Sequence, residues 1–294
     1  MINNENLDKE FIELFKDNKQ KEYFRNLYFY KEDGFLTLVE AGSKKDKYYM
    51  NDRDFLDYVK SVIENRRYGD DLTSYASLLE KRGEYSNATL YSSSRMAIEL
   101  SSKDEFIDKL SKYINIKYSY RKIYLEYPLS YKVNDKTSST AHMDIVVEYY
   151  NSNNKLLAIL AIECKMKEIY EIHKYIFTKS YKDKLINLLG NSNVKENDKD
   201  IEITFEGKKE GRLEVKQQFC HRFGLEAFKE KHNNVKIYFA NLIFDPRNLI
   251  DCPKEIKEAY ETAIGENKSI EKIFIGTGIT YLGIFNQDGE ITAV

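Results

Sequence analysis

Residues 142–166 read HMDIVVEYYNSNNKLLAILAIECKM, and this stretch predicts two β-strands joined by a tight turn. The four polar residues NSNN are typical of such a turn. Successive side chains of a strand point to opposite faces of its sheet, so Glu163 and Lys165 share one face while Cys164 points to the other. The preceding strand carries Asp144, whose carboxylate can approach Glu163 if the hairpin register allows it.

Helical and extended patterns alternate around this hairpin, which predicts a mixed α/β core over residues 92–294. A capping box formed by Ser102 and Glu105 predicts the start of a helix ahead of the first strand. That helix carries a face of apolar residues, namely Phe106, Ile107, Leu110, Tyr113 and Ile114. The other predicted segments are strands at 120–131, 141–150, 155–165, 201–205 and 235–244, helices at 168–189, 212–231 and 253–264, and strands near Ile273 and Tyr281.

Residues 1–91 are predicted to form a mostly helical accessory region that helps to bind or select the substrate. The spacing of apolar residues predicts helices at 7–15, 52–64 and 73–81. The dipeptide Asp33-Gly34 predicts the turn of a hairpin at 27–40. The sequence therefore predicts an accessory region, 1–91, and a catalytic core, 92–294.

Composition limits the classes of protein that fit. The chain has 294 residues, 42% of them hydrophobic, which is enough for a buried core. Its 46 basic and 48 acidic side chains give a net charge of -2, which excludes a polybasic tail. The longest apolar run, 156–162, is far shorter than the roughly 20 residues of a membrane helix, and the N-terminus lacks the pattern of a secretory signal. We therefore expect a cytoplasmic protein with no membrane contact and with reduced cysteines.

Asp144 and Glu163 are the main candidates for chemistry. Two carboxylates close together repel each other, and a hard divalent cation such as Mg²⁺ commonly keeps both of them ionised. The adjacent Lys165 can lower the pKa of an attacking water or stabilise charge on a phosphate. Together the three side chains suit the hydrolysis of phosphodiester bonds.

Asp144, followed by Glu163-Cys164-Lys165 at the end of an apolar strand, resembles the PD-(D/E)XK nuclease superfamily, which includes restriction endonucleases and Holliday-junction resolvases. The resemblance covers residues 92–244 in the order of their elements. It implies a restriction endonuclease-like fold of the α/β (α+β) class, with a mixed central sheet flanked by helices. It also implies Mg²⁺, for which Mn²⁺ can substitute, held by Asp144 and Glu163, and cleavage near Lys165 that leaves a 5′-phosphate.

Context distinguishes one Glu-x-Lys tripeptide from the others in this highly charged chain. The pattern occurs at Glu163, Glu206, Glu214, Glu255 and Glu266. Only Glu163 ends a long apolar strand behind a strand that carries an acid. Met143 stands where the superfamily often has proline, a position that varies within it. The simpler alternative is an exposed cross-strand ion pair at a sheet edge, which contributes little stability.

Glu99 and Glu105 are candidates for a third acid, because many such nucleases carry one on the helix before the first strand. Glu105 is also explained by the predicted capping box. In some exonucleases of the superfamily, a glutamine on a later helix positions the metal-bound water. We nevertheless expect Gln217 and Gln218 to face solvent, as single polar residues on an amphipathic helix usually do.

Other polar residues could contact nucleic acid. His142 lies on the same strand face as Asp144 and could touch a phosphate or a base. A basic and aromatic cluster precedes the site strands and consists of Lys117, Tyr118, Tyr120, Arg121 and Lys122. Such a cluster suits phosphate contacts, but it equally suits a solvated surface. Cys220 and His221 are adjacent in sequence, which is poor geometry for joint zinc coordination.

The resemblance favours a Mg²⁺-dependent endonuclease acting on double-stranded DNA, most concretely a type II enzyme of a restriction-modification system. A homodimer is expected, because a twofold assembly suits the cutting of both strands at a symmetric site. Two alternatives stay open. One is a structure-specific or RNA-directed nuclease of repair or defence, and the other is a nucleic-acid-binding module that has lost catalysis.

Overall fold

The computed structural model describes residues 4–20, 23, 39–40, 48–49 and 93–294. The helices predicted at 52–64 and 73–81 lie outside the described residues, as does nearly all of the hairpin predicted at 27–40. The helix predicted at 7–15 is confirmed. The described α-helices are α1 (Asn4–Lys16), α2 (Ser93–Ser101), α3 (Asp104–Ser111), α4 (Lys182–Leu189), α5 (Val215–Lys231), α6 (Lys254–Gly265) and α7 (Asn267–Phe274).

The strands of the described ranges form one large sheet and three small ones. In chain order they are β1 (Val39–Glu40), β2 (Tyr48–Tyr49), β3 (Tyr120–Lys132), β4 (Ser138–Tyr150), β5 (Leu156–Lys165), β6 (His173–Lys174), β7 (Ile176–Thr178), β8 (Val194–Glu196), β9 (Asp200–Ile203), β10 (Glu210–Gly211), β11 (Lys236–Ile243), β12 (Ile279–Phe285) and β13 (Ile291–Ala293). The small sheets pair β1 with β2, β6 with β10, and β9 with both β7 and β8.

The large sheet has six strands in the order β13-β12-β11-β5-β4-β3. Strands β3, β4 and β5 are antiparallel to one another, whereas β11 and β12 continue the sheet parallel to β5. Strand β13 pairs antiparallel with β12 at the far edge. The strands predicted at 120–131, 141–150, 155–165 and 235–244 are therefore confirmed. The fold is mixed α+β, with a mixed central sheet flanked by helices.

Strand β5 lies in the middle of this sheet, which explains why its sequence is a continuous apolar run. Every residue from 158 to 165 is buried, including Glu163 and Lys165. A strand buried on both faces does not show the alternation of a half-exposed strand. On one side of β5, Asn241 of β11 pairs with Glu163. On the other side, the ladder with β4 ends where Ile145 pairs with Ile162, which brings Asp144 to the level of Glu163.

Helices pack against this sheet at several points. Helix α5 packs on β3 and β4, and α2 packs on β3, β4 and β5. Gly224 allows α5 to approach closely, because a Cβ there would lie 2.7 Å from Leu129 Cβ. The N-terminal α1 also joins the core, where the rings of Phe11 and Tyr170 lie 4.6 Å apart. Within the described ranges, no helix combines the length and apolarity needed to cross a membrane.

The helix predicted at 168–189 is confirmed only over α4. The preceding residues form a 3-10 turn (Lys167–Tyr170), β6, β7 and a second 3-10 turn (Lys179–Tyr181). Strands β6 and β7 pair with β10 and β9, which lie far away in sequence. Pairing with distant strands satisfies the backbone here and overrides the local helical pattern.

The capping box predicted for Ser102 and Glu105 is wrong. Lys103 occupies the N-cap of α3 and makes no side-chain cap, and Glu105 is exposed. The Ser102 hydroxyl instead donates to the carbonyl of Glu99 at 2.7 Å. The physical reason is that α2 ends directly before α3, so Ser102 satisfies a terminal carbonyl of α2 rather than an amide of α3.

Two further positions differ from the sequence patterns. Tyr113 follows the end of α3 and is 44% exposed, although Phe106, Ile107 and Leu110 form the predicted apolar face. Ile273 lies in α7 rather than in a strand, whereas the strand predicted near Tyr281 is confirmed as β12. Ile273 is buried in helix α7, as it would be in a strand. An apolar residue at this position therefore does not distinguish a helix from a strand.

Glu266, between α6 and α7, joins the segment before α5 to the C-terminal helices. Its side chain is buried, and Oε2 accepts backbone hydrogen bonds from Arg212 at 3.0 Å and Leu213 at 2.8 Å. Gly211 leaves room for this carboxylate, because a Cβ there would lie 2.8 Å from Glu266 Oε1.

We expect Glu266→Ala to lower the free energy of unfolding by about 3 kcal/mol, because two backbone N–H groups lose a charged acceptor. Urea denaturation measures this change. The matched control is Glu258→Ala on α6, whose exposed ion pair with Lys254 spans 3.4 Å. That control should cost less than about 1 kcal/mol. Equal losses in the two variants would contradict the role given to Glu266.

Candidate active site

The structure brings the predicted residues Glu163 and Lys165 together at the end of β5. Lys165 Nζ donates to Glu163 Oε1 at 2.7 Å, and the two side chains are 8% and 2% exposed respectively. Their shared face follows from the two-residue repeat of the strand. The alternative of an exposed ion pair at a sheet edge is wrong, because β5 is a central strand and both residues are buried.

Lys165 keeps its proton in this environment. Burial alone would lower the pKa of its ammonium, but the negative charges of Glu163, Glu168 and Asp144 raise that pKa above its ordinary value. The ammonium also donates to Oε1 of Gln217 on α5 at 2.5 Å. Lys165 is therefore a fixed cation and hydrogen-bond donor at neutral pH.

Asp144 lies beside this pair at the point where β4 separates from β5. Its Oδ2 accepts a hydrogen bond from the backbone N–H of Cys164 at 2.6 Å, and its side chain is half-buried. Burial raises the pKa of Asp144 well above its ordinary value, and the negative charges of Glu163 and Glu126 raise it further. Lys165 and the Cys164 amide lower this pKa without reversing the shift.

Glu163 has the opposite electrostatics. Burial acts to raise the pKa of its carboxyl, but Lys165 and His221 outweigh burial and lower that pKa to about 2. Its second oxygen, Oε2, lies 2.9 Å from Nε2 of His221 on α5. Both oxygens of Glu163 are thus held by basic side chains, and the carboxylate is ionised at neutral pH.

Helix α5 contributes polar side chains that the sequence patterns did not indicate for the site. Gln217 contacts Lys165, and Gln218 is fully buried and donates to Oδ1 of Asn241 at 3.0 Å. The prediction that both glutamines face solvent is therefore wrong. Gln217 and His221 are four residues apart, so they lie on one face of the helix and reach β5 together. This four-residue spacing was the sequence signal that could have identified both residues as part of the site.

Glu126 and Glu168 are two further acids near the site that the sequence patterns did not indicate. Glu126 faces Asp144 across the β3–β4 ladder, between the pairs Leu125–Ile145 and Tyr127–Met143, and has a positive φ of 49°. Glu168 accepts hydrogen bonds from the Met166 amide at 2.8 Å and from the Ser93 hydroxyl at 2.7 Å. Their negative charges act on Asp144 and Lys165 respectively.

The other candidate acids and bases differ in their surroundings. Glu99 is fully buried on α2, and its charge acts on Lys103. Glu105 is exposed on α3. His142 is exposed and its Nδ1 lies 3.4 Å from the carbonyl oxygen of Glu126. The thiol of Cys220 contacts the Tyr181 hydroxyl, whereas the neighbouring His221 contacts Glu163.

Asp144 and Glu163 could hold a hard cation between them. Within the described ranges, no three His, Cys, Asp or Glu side chains form a ready metal-binding group. The mutual repulsion of Asp144 and Glu163 is part of the raised pKa of Asp144, and a divalent cation would relieve it. Carboxylate oxygens are the donors that Mg²⁺ prefers. Among the described residues, none donates a hydrogen bond to Oδ1 of Asp144, which leaves this oxygen for a cation.

The two acids should respond in opposite directions when their charge is removed. A raised pKa means that Asp144 ionises more readily in the unfolded state, which lowers stability at pH 7, so Asp144→Asn should raise the melting temperature in the absence of divalent cations. Glu163→Gln should instead lower the free energy of unfolding by about 3 kcal/mol, because it leaves Lys165 buried without its counter-charge. Thermal and urea unfolding at pH 7 measure both changes.

Acid should remove both effects. The stabilisation from Glu163 is present above its ordinary pKa of 4.5 and is lost as the pH falls towards about 2, where the folded-state carboxyl is protonated. The advantage of Asp144→Asn should shrink once the pH falls below the raised pKa of Asp144 and should vanish below its ordinary pKa of 3.8, where Asp144 is neutral in both the folded and the unfolded state. A less stable Asp144→Asn variant at pH 7 would contradict this description of the site.

Comparison with known proteins gives no match. No family model matches the chain, and no curated protein and no solved structure is significantly similar to it. The contacts among Asp144, Glu163, Lys165 and their neighbours are therefore the basis for a functional assignment.

Proposed function

We propose that the protein is a Mg²⁺-dependent nuclease with a restriction endonuclease-like fold that hydrolyses phosphodiester bonds in DNA. One observation carries this proposal: the buried Glu163–Lys165 pair and Asp144 meet at the end of the central strand β5. A purely structural ion pair does not call for a second carboxylate beside it, whose pKa is raised by burial and raised further by the charge of Glu163. Perturbed acids of this kind are typical of functional sites.

Asp144 and Glu163 would hold the metal ion. When bound, Mg²⁺ supplies Lewis-acid chemistry to a phosphate. Mn²⁺ can take the same place, because carboxylate oxygens suit both ions. Glu163 is ionised at neutral pH and needs no proton loss before it binds a cation, since its pKa is about 2. Asp144 is the acid whose ionisation a cation would stabilise.

Lys165 would act on the phosphate as a cation rather than as a base. Its raised pKa keeps it protonated, so it cannot accept a proton from water at neutral pH. A fixed ammonium can stabilise the negative charge that develops on the phosphate in the transition state. Glu163 and Gln217 orient this ammonium, at 2.7 and 2.5 Å respectively.

We propose double-stranded DNA as the substrate, in the manner of a type II restriction enzyme that acts as a homodimer. The basic and aromatic cluster gives this proposal partial support. Arg121 pairs with Asp104 and Asp108, so its charge is already compensated. Lys122 lies 5.7 Å from the centre of the Tyr150 ring and is only partly buried. Lys122 is therefore the better candidate for a phosphate contact.

One observation favours a second candidate, a nucleic-acid-binding module without catalysis. Lys165 and His221 already engage both oxygens of Glu163. A metal ion would have to share these oxygens with them. An ionised carboxylate has about four lone-pair positions, so these two contacts compete with a metal ion for Glu163 without excluding it.

Incubation of the purified protein with plasmid DNA, with and without Mg²⁺, tests the nuclease proposal. We expect cleavage that requires Mg²⁺ or Mn²⁺. The rate of cleavage should fall at least about 100-fold in Lys165→Ala, because the negative charge that develops on the phosphate in the transition state loses its stabilising ammonium. The matched control is Lys208→Ala, from the tripeptide Glu206-Gly207-Lys208, whose exposed lysine lies outside the site. That variant should cut like the wild type.

The products distinguish the proposed substrates. Discrete fragments would support a sequence-specific restriction enzyme. Cleavage restricted to branched DNA or to RNA would support the structure-specific or RNA-directed nuclease instead. Binding of DNA without cleavage of any of these substrates would contradict the nuclease proposal and support the binding module.

A further inference from the structure

The imidazole of His221 is buried beside the proposed metal ligand Glu163. The side chain is 2% exposed, and its Nε2 lies 2.9 Å from Glu163 Oε2. Because the ring itself is buried, it is not exposed to a substrate. His221 is therefore placed to act on Glu163 and not on a phosphate.

The position of the ring is fixed by the packing of α5. The ring centre of His221 lies 5.9 Å from that of Phe239. One turn earlier, Gln218 of the same helix donates to Asn241, which is the β11 partner of Glu163 in the sheet. Helix α5 and the parallel strands β5 and β11 thus fix the position of His221 relative to Glu163.

The contact with Glu163 is the polar contact that explains a histidine at this position. Within the described part of the chain, both ring nitrogens of His221 are buried without a fully formed hydrogen bond, and Nε2 makes a 2.9 Å contact with Glu163 Oε2. An apolar side chain of similar size would fill the space and would leave no such atom unpaired. The cost of burying these two nitrogens is understandable if the contact of Nε2 with Glu163 is needed.

We propose that His221 is a positioning residue that fixes the carboxylate of Glu163 for metal binding. This inference rests on the proposed nuclease function. Contacts with Lys165 on one oxygen and with His221 on the other restrict rotation of the carboxylate plane. Partners that orient a metal ligand typically contribute 10- to 100-fold in metal affinity.

Calorimetric titration with Mn²⁺ tests the proposal on His221→Gln and His221→Asn. The glutamine amide nitrogen can reach the place of Nε2, whereas the asparagine side chain is one methylene too short. We expect His221→Asn to bind Mn²⁺ about 10- to 100-fold more weakly than the wild type, and His221→Gln to restore most of the affinity. The Mn²⁺ concentration for half-maximal plasmid cleavage should shift by the same factor.

Controls separate this inference from the function on which it rests. His232→Asn, an exposed histidine just after α5, should bind Mn²⁺ like the wild type. If Glu163→Gln binds Mn²⁺ as well as the wild type, the proposed metal site itself is wrong. If Glu163→Gln loses binding while His221→Asn keeps it, only the role of His221 is wrong.

Folding of each variant is checked by thermal unfolding. If His221→Asn does not fold, His221→Met replaces it, because methionine matches the length of glutamine without its N–H donor. Equal Mn²⁺ affinity in His221→Met and His221→Gln would contradict the proposal. A variant that only loses stability would show a lower melting temperature with an unchanged affinity for Mn²⁺, which would also overturn it.

Discussion

The ion pair between Glu163 and Lys165 is the constraint on which the rest of the structure depends. Removing two charges from water costs several kcal/mol for each ion, and only close pairing with further hydrogen bonds offsets that cost. The protein supplies this pairing from two elements, since β5 contributes the pair and α5 contributes Gln217 and His221. The position of α5 on the sheet and the electrostatics of the site are therefore set by the same contacts.

Asp144 turns this arrangement from a structural network into a candidate site. Glu163 is stabilised as an anion, whereas Asp144, at the same end of the sheet, is destabilised as one. A fold that had only to bury an ion pair would gain from a neutral residue at position 144. The cost of an ionised Asp144 is expected where a cation binds, because functional sites often reduce stability for the sake of chemistry.

Local patterns were sufficient to predict the strands of the hairpin and the shared face of Glu163 and Lys165. The apolar run of β5, the turn and the two-residue repeat are all properties of neighbouring residues. The contact of Asp144 with Cys164 depended on register, which the sequence left open and the structure supplies. The strands β6 and β7 were missed because their partners lie far away in sequence.

The polar face of α5 was missed for a different reason. Amphipathic helices usually direct polar residues to solvent, and this rule led to the wrong position for Gln217 and Gln218. Here the same helix buries Gln218 and His221 beside Phe219 and Phe223, so apolar spacing does not reveal which face is inside. A better guide to the buried face would have been the four-residue spacing of polar residues on the helix that follows the site strands. A buried charge on β5 needs partners from whatever element covers it.

The most direct test of the account is the crystal structure of the protein soaked in Mn²⁺, with anomalous scattering used to locate the ion. We expect one strong peak about 2.1 Å from a carboxylate oxygen of Asp144 and from one of Glu163. Lys165 should keep its contact with Glu163 in that structure. Clear density for both acids without a peak between them, or a peak held by other residues, would contradict the account.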